Sequence, residues 1–423
     1  MKKSSFILEK MGLPPDLIWG YVGLMFFVLG AGLEQSWFAA YLSSQGLHAS
    51  QISLLFTVFG ISAAVSSWVT GISTQIWGIR NVMWTGLIIY LIASIPFLLI
   101  ALPSRQYAWI LVTYMLRGAA YPLFAYSFLV WVTYRSEKAI LGRATSWFWT
   151  FFGMGFTIIG PWYSGWMIPQ LGYLGVLWTG VGFTLIGAGF SLMVNRDQVK
   201  ALRSESALAE FVDGFLINFQ RPRLGIAIIV KTINDLGKFG FVILMPVYLI
   251  HYGFSTSEWL MIWGFTNIVS LIFNYIFGYI SDKIGWRQTV VWFSGSLCGT
   301  ATFLIYFVPQ WFGHNSGMLF AALSLYAIGI GAFCPLSALI PSLAPDKKGA
   351  AVSALNLGSG LSNFAGPLVV SLCIGPFGVK GAMFAIASLY LLASVLTISL
   401  KTPEEREMIK SNKRLKIGPQ HET

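Results

Sequence analysis

The chain has 423 residues, of which 56% are hydrophobic and only 10% are charged. A water-soluble core could not bury so many apolar side chains, so the composition excludes a soluble globular protein and predicts an all-α membrane protein in a lipid bilayer. The formal net charge of +11 would by itself suggest a nucleic-acid partner. However, nearly all lysines and arginines fall on one side of the predicted spans, which is the pattern of membrane insertion, so we expect no nucleic acid partner.

Twelve apolar runs are long enough to cross the hydrocarbon core, which takes about 20 residues. The positive charge between them predicts a multi-pass plasma-membrane protein with both termini in the cytoplasm. A polar stretch divides the chain into predicted six-helix bundles at 1-194 and 225-400, with a cytoplasmic linker at 195-224 and a cytoplasmic tail at 401-423. The predicted spans are 17-42, 50-77, 81-102, 107-134, 143-168, 171-194, 225-250, 256-281, 287-309, 317-343, 349-374 and 378-400.

The two halves of the chain repeat each other at an offset of 207 residues, and Tyr41-Leu42, for example, matches Tyr248-Leu249. The other marker pairs are Gly46 and Gly253, Ser50 and Ser257, Gly71 and Gly278, Gly78 and Gly285, Arg80 and Arg287, and Gly142 and Gly349. Because the markers occur in matching order between matching apolar runs, the pattern predicts two homologous six-helix halves in the same orientation.

The sequence contains no motif of a pump or of an enzyme. G-x-x-x-x-G-K-[ST], C-x-x-C, H-E-x-x-H and G-x-S-x-G are all absent, and the four histidines are scattered singly. We therefore expect neither a metal site nor a cofactor, and favour a secondary transporter over an enzyme. A non-transporting membrane receptor or sensor is the alternative, but the sequence lacks the long soluble signalling segment that would support it.

The loop between the eighth and ninth predicted spans reads Gly278-Tyr279-Ile280-Ser281-Asp282-Lys283-Ile284-Gly285-Trp286-Arg287-Gln288. It resembles the G-x-x-x-D-[RK]-x-G-x-[RK]-[RK] loop of the major facilitator superfamily. The resemblance implies the twelve-helix major facilitator fold, which works by alternating access, and a loop that latches a cytoplasmic gate. The implied gating residues are Gly278, Asp282, Lys283, Gly285 and Arg287. The first-half copy has Gln75 and Ile76 in place of the acidic and basic residues, which leaves open whether that loop also latches the gate.

Three further blocks carry a narrower resemblance. They are Gly32 to Trp37 in the first span, Leu116 to Val132 in the fourth, and Lys231 to Asn234 with Phe239 to Phe241 in the seventh. They are similar to the polyol permeases, the ribitol and D-arabinitol proton symporters of bacteria. The resemblance implies proton-coupled import of a polyol or related small polyhydroxylated solute across the bacterial inner membrane. We expect a monomer whose partners are a small-molecule substrate and the lipid bilayer, with the proton as coupling ion and no cofactor.

Two charged residues of the first half, Glu34 and Arg117, lie deep inside predicted spans. An ionised side chain at that depth costs at least ~2.5–3.5 kcal/mol on insertion scales. The two residues lie at similar distances from the outer ends of their spans, so they can pair. In sugar-proton symporters of the superfamily, an acidic residue of the first helix beside an arginine of the fourth couples transport to the proton. The resemblance therefore implies proton coupling by Glu34 and Arg117, and a structural salt bridge is the alternative.

Three charged residues share one face of the seventh span. Lys231, Asp235 and Lys238 are spaced i, i+4 and i+7, as neighbours on a helix face are. Asp235 can neutralise one lysine but not both, so the other lysine either extends to the membrane surface or binds substrate. A structural triad is an equal alternative. The excess of one positive charge among the buried charges favours a carrier of organic or sugar acids as the alternative to a polyol carrier.

Neutral polar residues show the same one-sided spacing on the eighth and eleventh spans. Amides both donate to and accept from hydroxyl groups, which suits a linear polyol, and hydrogen bonds between helices are the alternative. The full set of predicted substrate-binding residues is Gln35, Trp37, Tyr121, Trp149, Asn234, Asp235, Lys238, Trp263, Asn267, Asn356 and Asn363.

Overall fold

The structure is a computed structural model that describes residues 13–136, 141–194, 221–344 and 348–402. Every regular element within these ranges is helical, as expected where the backbone must satisfy its own hydrogen bonds in lipid. Ten described helical segments are apolar and long enough to cross a membrane, and two of them, Trp147–Met193 and Leu357–Ile398, have double length. Each double segment is broken by a glycine with non-helical dihedral angles, Gly172 or Gly378. The described chain therefore forms the twelve spans that the sequence predicts.

The spans are numbered 1 to 12 in chain order. In the first half, span 1 consists of Ile18–Gly32 and Phe38–Ser44, span 2 is Ala49–Trp77, and span 4 is Tyr107–Arg135. Span 3 is Ile79–Pro96 continued by Phe97–Ala101 and Leu102–Ser104. Spans 5 and 6 are formed by Leu141–Gly153, Met154–Ile159, Gly160–Gly189 and Phe190–Val194, and Gly172 divides them. The second half consists of Pro222–Ile250 (span 7), Thr256–Ile284 (span 8), Trp286–Phe312 (span 9), Ser316–Gly331 with Leu336–Ser342 (span 10), and Lys348–Ile398, which divides at Gly378 into spans 11 and 12.

The predicted linker and tail lie largely outside the described residues. Span 7 begins at Pro222 rather than at the predicted 225, because proline fits the first turn of a helix, where its missing N–H has no partner to lose. Residues 195–220 of the predicted linker and 403–423 of the predicted tail fall outside the described ranges. The boundaries of the two bundles therefore stay predictions.

The internal repeat is visible in the backbone. Among the described residues, positive φ angles occur at three pairs of repeat-related glycines and at one further related pair of positions. The pairs are Gly46 and Gly253, Gly78 and Gly285, Gly172 and Gly378, and Arg105 and Gly313. Glycine has no Cβ and adopts positive φ without a steric penalty, so the two halves turn at the same places. This agreement confirms the two homologous halves.

Glycines also let spans pack backbone to backbone within each half. A Cβ at Gly23 or Gly30 of span 1 would collide with the carbonyl of Gly187 or Gly180 in span 6. Gly366 of span 11 lies equally close to the backbone of span 7. Small residues at helix interfaces are the usual means of close packing in membranes, where burial of apolar surface gives no drive for association.

The two halves touch at spans 2 and 11 and at spans 5 and 8. Gly60 of span 2 lies against the backbone of Asn363 in span 11, and Gly165 of span 5 lies against Leu260 in span 8. Contacts of span 2 with span 11 and of span 5 with span 8 therefore join the halves.

Candidate substrate and proton-coupling sites

The structure brings Glu34 and Arg117 together. Nη2 of Arg117 donates to Oε1 of Glu34 over 2.6 Å, and the two side chains are 2% and 0% exposed. The guanidinium carbon of Arg117 also lies 4.8 Å from the ring centre of Phe97 and 5.2 Å from that of Tyr90. Aromatic faces stabilise a cation that has left water. The pair is thus sealed between spans 1, 3 and 4.

A break in span 1 positions Glu34. The first helix ends at Gly32 and the second begins at Phe38. Between them, the Glu34 carbonyl accepts hydrogen bonds from the N–H groups of Trp37 and Phe38 over 3.1 and 2.8 Å. Other carbonyls in the break accept hydrogen bonds from neighbouring spans. Ser164 of span 5 donates to the Leu33 carbonyl over 3.1 Å. Glu34 therefore projects from a short irregular segment held by its own backbone bonds.

The pair is joined by a single hydrogen bond. Oε2 of Glu34 and both Nε and Nη1 of Arg117 are buried without a hydrogen-bond partner among the described residues. A guanidinium and a carboxylate can form two parallel bonds in the most stable arrangement. A buried pair with one bond is therefore easier to separate than a bidentate pair.

The charged triad of span 7 is assembled around Asp235. Lys231 donates to Oδ2 and Lys238 to Oδ1, each over 2.9 Å. The side chains of Lys231, Asp235 and Lys238 are 15%, 16% and 33% exposed. One carboxylate thus serves two ammonium groups and leaves the cluster with one excess positive charge. Lys238 is the most exposed member, although it lies in the middle of its span.

The predicted amides make different contacts. Tyr121 of span 4 donates its hydroxyl to Oδ1 of Asn363 in span 11 over 3.1 Å, which joins the two halves. Asn267 donates to the carbonyl of Trp263 in its own helix over 2.8 Å. Asn234 is buried, and its Oδ1 has no partner among the described residues. The side chain of Asn356 lies outside the described residues.

The remaining predicted residues are mostly enclosed by aromatic neighbours. Trp37 is fully buried, with its ring 5.1 Å from that of Tyr173, and Gln35 is buried with its Nε2 unpartnered among the described residues. Trp263 is stacked on Trp259 at 5.2 Å. Only Trp149 is well exposed among this group, at 43%. The structure therefore places Trp37 and Trp263 in packed aromatic layers.

The sequence model of the protein family named Major Facilitator Superfamily matches residues 20–347 of this chain. The chain belongs to this superfamily. It is a multi-pass membrane transporter rather than an enzyme, and the resemblance read from its sequence is confirmed.

Full-length relatives of this transporter carry two kinds of substrate in their names. The chain is 43% identical over 410 residues to the alpha-ketoglutarate permease of Bacillus subtilis (strain 168), a match that covers 96% of this chain and 94% of that protein. It is 33% identical over 391 residues to the ribitol transporter of Klebsiella pneumoniae, which covers 91% and 92% of the two chains. Among solved structures, the D-xylose-proton symporter superposes with a TM-score of 0.71 at 13% identity, covering 92% of this chain and 98% of that one. This likeness shows the shared fold.

The gating loop of this superfamily member is only partly described. Gly285 has a φ of 96°, as the sharp turn between spans 8 and 9 requires. Nζ of Lys283 lies 4.6 Å from the ring centre of Tyr279. No described atom lies within 4 Å of a Cβ built at Gly278. The side chains of Asp282 and Gln75 lie outside the described residues, so the latch stays a prediction.

Sequence reasoning missed the break in span 1 and the residue that seals it. Trp259 of span 8, which is 1% exposed, donates its indole N–H to the Ser36 carbonyl inside the break over 3.0 Å. The segment from Leu33 to Trp37 contains no proline that would indicate a break in the helix. The only sequence signal is the Glu34-Gln35-Ser36 run, a polar cluster unusual in an apolar span.

Proposed function

We propose that this transporter imports a small organic acid together with a proton, by alternating access. The observation that carries the proposal is the triad of span 7. Two lysines share one aspartate there, and the excess charge is partly exposed at mid-membrane depth. Charged groups inside a membrane pair with an opposite charge or mark a substrate path. A substrate carboxylate would neutralise the excess charge.

Lys238 is the best placed ligand for that carboxylate. Its ammonium group uses one of three donors on Asp235, and its side chain is 33% exposed. The 43% identity to a protein named alpha-ketoglutarate permease, over nearly the whole chain, supports an acid substrate. This proposal ranks the acid ahead of the polyol that the sequence blocks favour.

A polyol such as ribitol or arabinitol is the second candidate. The observation that favours it is the neutral hydrogen-bonding pair of Tyr121 and Asn363, which lies between the halves where a hydroxylated solute could exchange partners with it. The similarity to a protein named ribitol transporter supports this candidate as well. In a polyol carrier the triad of span 7 would be structural.

Glu34 is the proposed proton carrier, with Arg117 as its partner. The carboxylate is buried, singly bonded and placed in a break that can move without unwinding a whole helix. A structural salt bridge would gain more from a second bond. When a proton binds Glu34, its attraction to Arg117 falls and the two side chains can separate.

We further infer a bacterial inner-membrane protein with both termini cytoplasmic, acting as a monomer without a cofactor or nucleic acid. Two exposed glutamines provide a matched test of orientation, Gln106 between spans 3 and 4 and Gln288 at the start of span 9. In a background without native cysteines, Gln106→Cys should react with an impermeant maleimide in intact cells. Gln288→Cys should react only with a permeant one. The reverse pattern would contradict the orientation.

The deciding experiment is uptake in a transport-deficient host, with labelled 2-oxoglutarate and labelled ribitol tested in parallel. We expect saturable, proton-driven accumulation of the acid, competition by other small di- and monocarboxylates, and no competition by pentitols. Accumulation of ribitol alone would transfer the proposal to the second candidate. Accumulation of neither solute under a proton gradient would contradict both.

A further inference from the structure

The outer parts of the two halves are joined by two tryptophans, one from each half. Trp259 of span 8 donates its indole N–H to the carbonyl of Ser36 in span 1 over 3.0 Å. Trp162 of span 5 donates its indole N–H to the carbonyl of Met261 in span 8 over 3.4 Å. The Trp162 ring also lies so close to Gly264 that a Cβ there would collide with it. Both bonds cross the interface that must open when the carrier faces outward.

The Ser36 carbonyl is available to Trp259 because span 1 is broken. In a continuous helix each carbonyl accepts from the N–H four residues later. Here the turn between Gly32 and Phe38 interrupts that ladder. A buried carbonyl without a partner costs about 1–3 kcal/mol. The Trp259 bond therefore closes the outer contact and stabilises the break at the same time.

The same break carries Glu34, two residues before Ser36. Its side chain is fixed by Arg117, and its carbonyl is fixed by Trp37 and Phe38. The ionisable groups that face Glu34 from the packed spans are Arg117 and Tyr114 of span 4 and Tyr90 of span 3. A change in the Glu34–Arg117 pair thus acts on the backbone segment that Trp259 holds.

On the other side of the bond, Trp259 is rigidly mounted. It lies in the first turn of span 8, next to Glu258, which forms a capping box with Ser255 and bonds to His314 over 2.9 Å. Its ring is stacked on Trp263. A rigid donor transmits movement of the Ser36 carbonyl to the second half instead of absorbing it.

We propose that Trp259 is a positioning residue of the transport cycle, which keeps the outer gate closed by holding the Ser36 carbonyl inside the break of span 1. The outer gate opens when the Ser36 carbonyl withdraws from Trp259. This closure does not depend on the identity of the solute or on the proposed coupling role of Glu34.

The test uses a reporter cysteine at Leu260, which is fully buried and faces Gly165 across the outer interface. In a Leu260→Cys protein without native cysteines, labelling by an impermeant maleimide in intact cells, at fixed pH and without solute, measures opening of the outer gate. Trp259→Phe keeps an aromatic ring and removes the indole N–H. We expect about fivefold faster labelling, because one hydrogen bond changes an equilibrium between closed and open states by about that factor. Trp162→Phe should give a smaller increase in labelling rate, because its bond is longer.

Trp131→Phe is the matched control. Trp131 is 1% exposed, and its indole N–H has no partner among the described residues, so we expect the parent labelling rate. Equal labelling rates for the Trp259 and Trp131 variants, at equal protein levels, would overturn the proposal. Faster labelling in both would mean general loosening and would also overturn it. Since the labelling needs no solute, failure of the uptake experiment leaves these expectations unchanged, and the two failures are distinguishable.

Discussion

The first half holds a sealed ion pair, whereas the second holds an open charge cluster. Glu34 and Arg117 are almost fully buried and electrically balanced. The span 7 triad is up to 33% exposed and carries an excess positive charge. At the repeat offset, Phe241 and Ser324 replace the pair in the second half, and Leu24, Val28 and Ala31 replace the triad in the first. Two halves with one backbone plan have therefore acquired different chemistry.

The difference in exposure supports the proposed division of labour, with proton coupling in the first half and solute binding in the second. A sealed pair can respond to a proton but has no room for a solute, because its neighbours are aromatic rings in close contact. A partly exposed cluster can meet a solute but exchanges protons poorly, since two lysines hold its only carboxylate. We expect variants of the two sites to fail in different ways.

The largest effect is expected from Asp235→Asn. The change leaves two partly buried lysines without their shared anion, which should destabilise the protein by on the order of 3 kcal/mol. The measurement is the amount and thermal stability of purified protein. Asp16→Asn, which removes an exposed carboxylate, is the control and should have no effect. Asp235→Asn with Lys238→Gln should recover part of the lost stability, and a double variant worse than Asp235→Asn would contradict the account.

A smaller and more selective effect is expected from Lys238→Gln. The Lys231–Asp235 pair remains and is neutral, so the protein should stay folded. If Lys238 holds a substrate carboxylate, the KM for the acid should rise by about 10- to 100-fold, the value of one charged hydrogen bond. Lys380→Gln, which changes an exposed lysine at the start of span 12, is the control. An unchanged KM for the acid would reduce the triad to a structural role and favour the polyol candidate.

The smallest effect is expected from Tyr121→Phe, which removes the hydroxyl that donates to Asn363. The bond is neutral and worth about 1 kcal/mol, so the transport KM should change by about fivefold. Tyr107→Phe is the matched control, because it removes one hydroxyl bond from the same span, to the Gln51 carbonyl over 2.9 Å, at the start of span 4 and away from Asn363. Identical kinetics for the two variants would remove Tyr121 from the solute path.

The sequence predicts the fold well because membrane burial imposes strict patterns. The twelve apolar runs reappear as spans, and the glycine markers Gly46, Gly78, Gly253 and Gly285 reappear as turns with positive φ. These glycines can be recognised in the sequence because only a residue without a Cβ adopts positive φ easily. The start of span 7 was placed slightly late because the helix begins at Pro222, within a stretch that reads as polar linker.

The charged sites were predictable for the same reason, whereas the neutral ones were not. A charge in lipid must find a partner, so the depth of Glu34 and Arg117 and the spacing on span 7 suggest their contacts in advance. A tryptophan in a span can face lipid, solute or other side chains, so its contacts do not follow from its position in the sequence. The structure packs Trp37 and Trp263 into aromatic layers. The Trp259–Ser36 bond depends on a break in span 1 that only tertiary packing stabilises.

The division of labour is tested most directly by Glu34→Gln in proteoliposomes. Accumulation of labelled solute under a proton gradient is compared with solute-for-solute exchange at equal pH on both sides. Arg117 loses its anionic partner in this variant, so protein is first adjusted to equal amounts of folded carrier. The account predicts that accumulation and its dependence on the gradient are lost, while exchange continues with a KM within about twofold of the parent, the scale of a few tenths of a kcal/mol. Undiminished accumulation with parental pH dependence would contradict it.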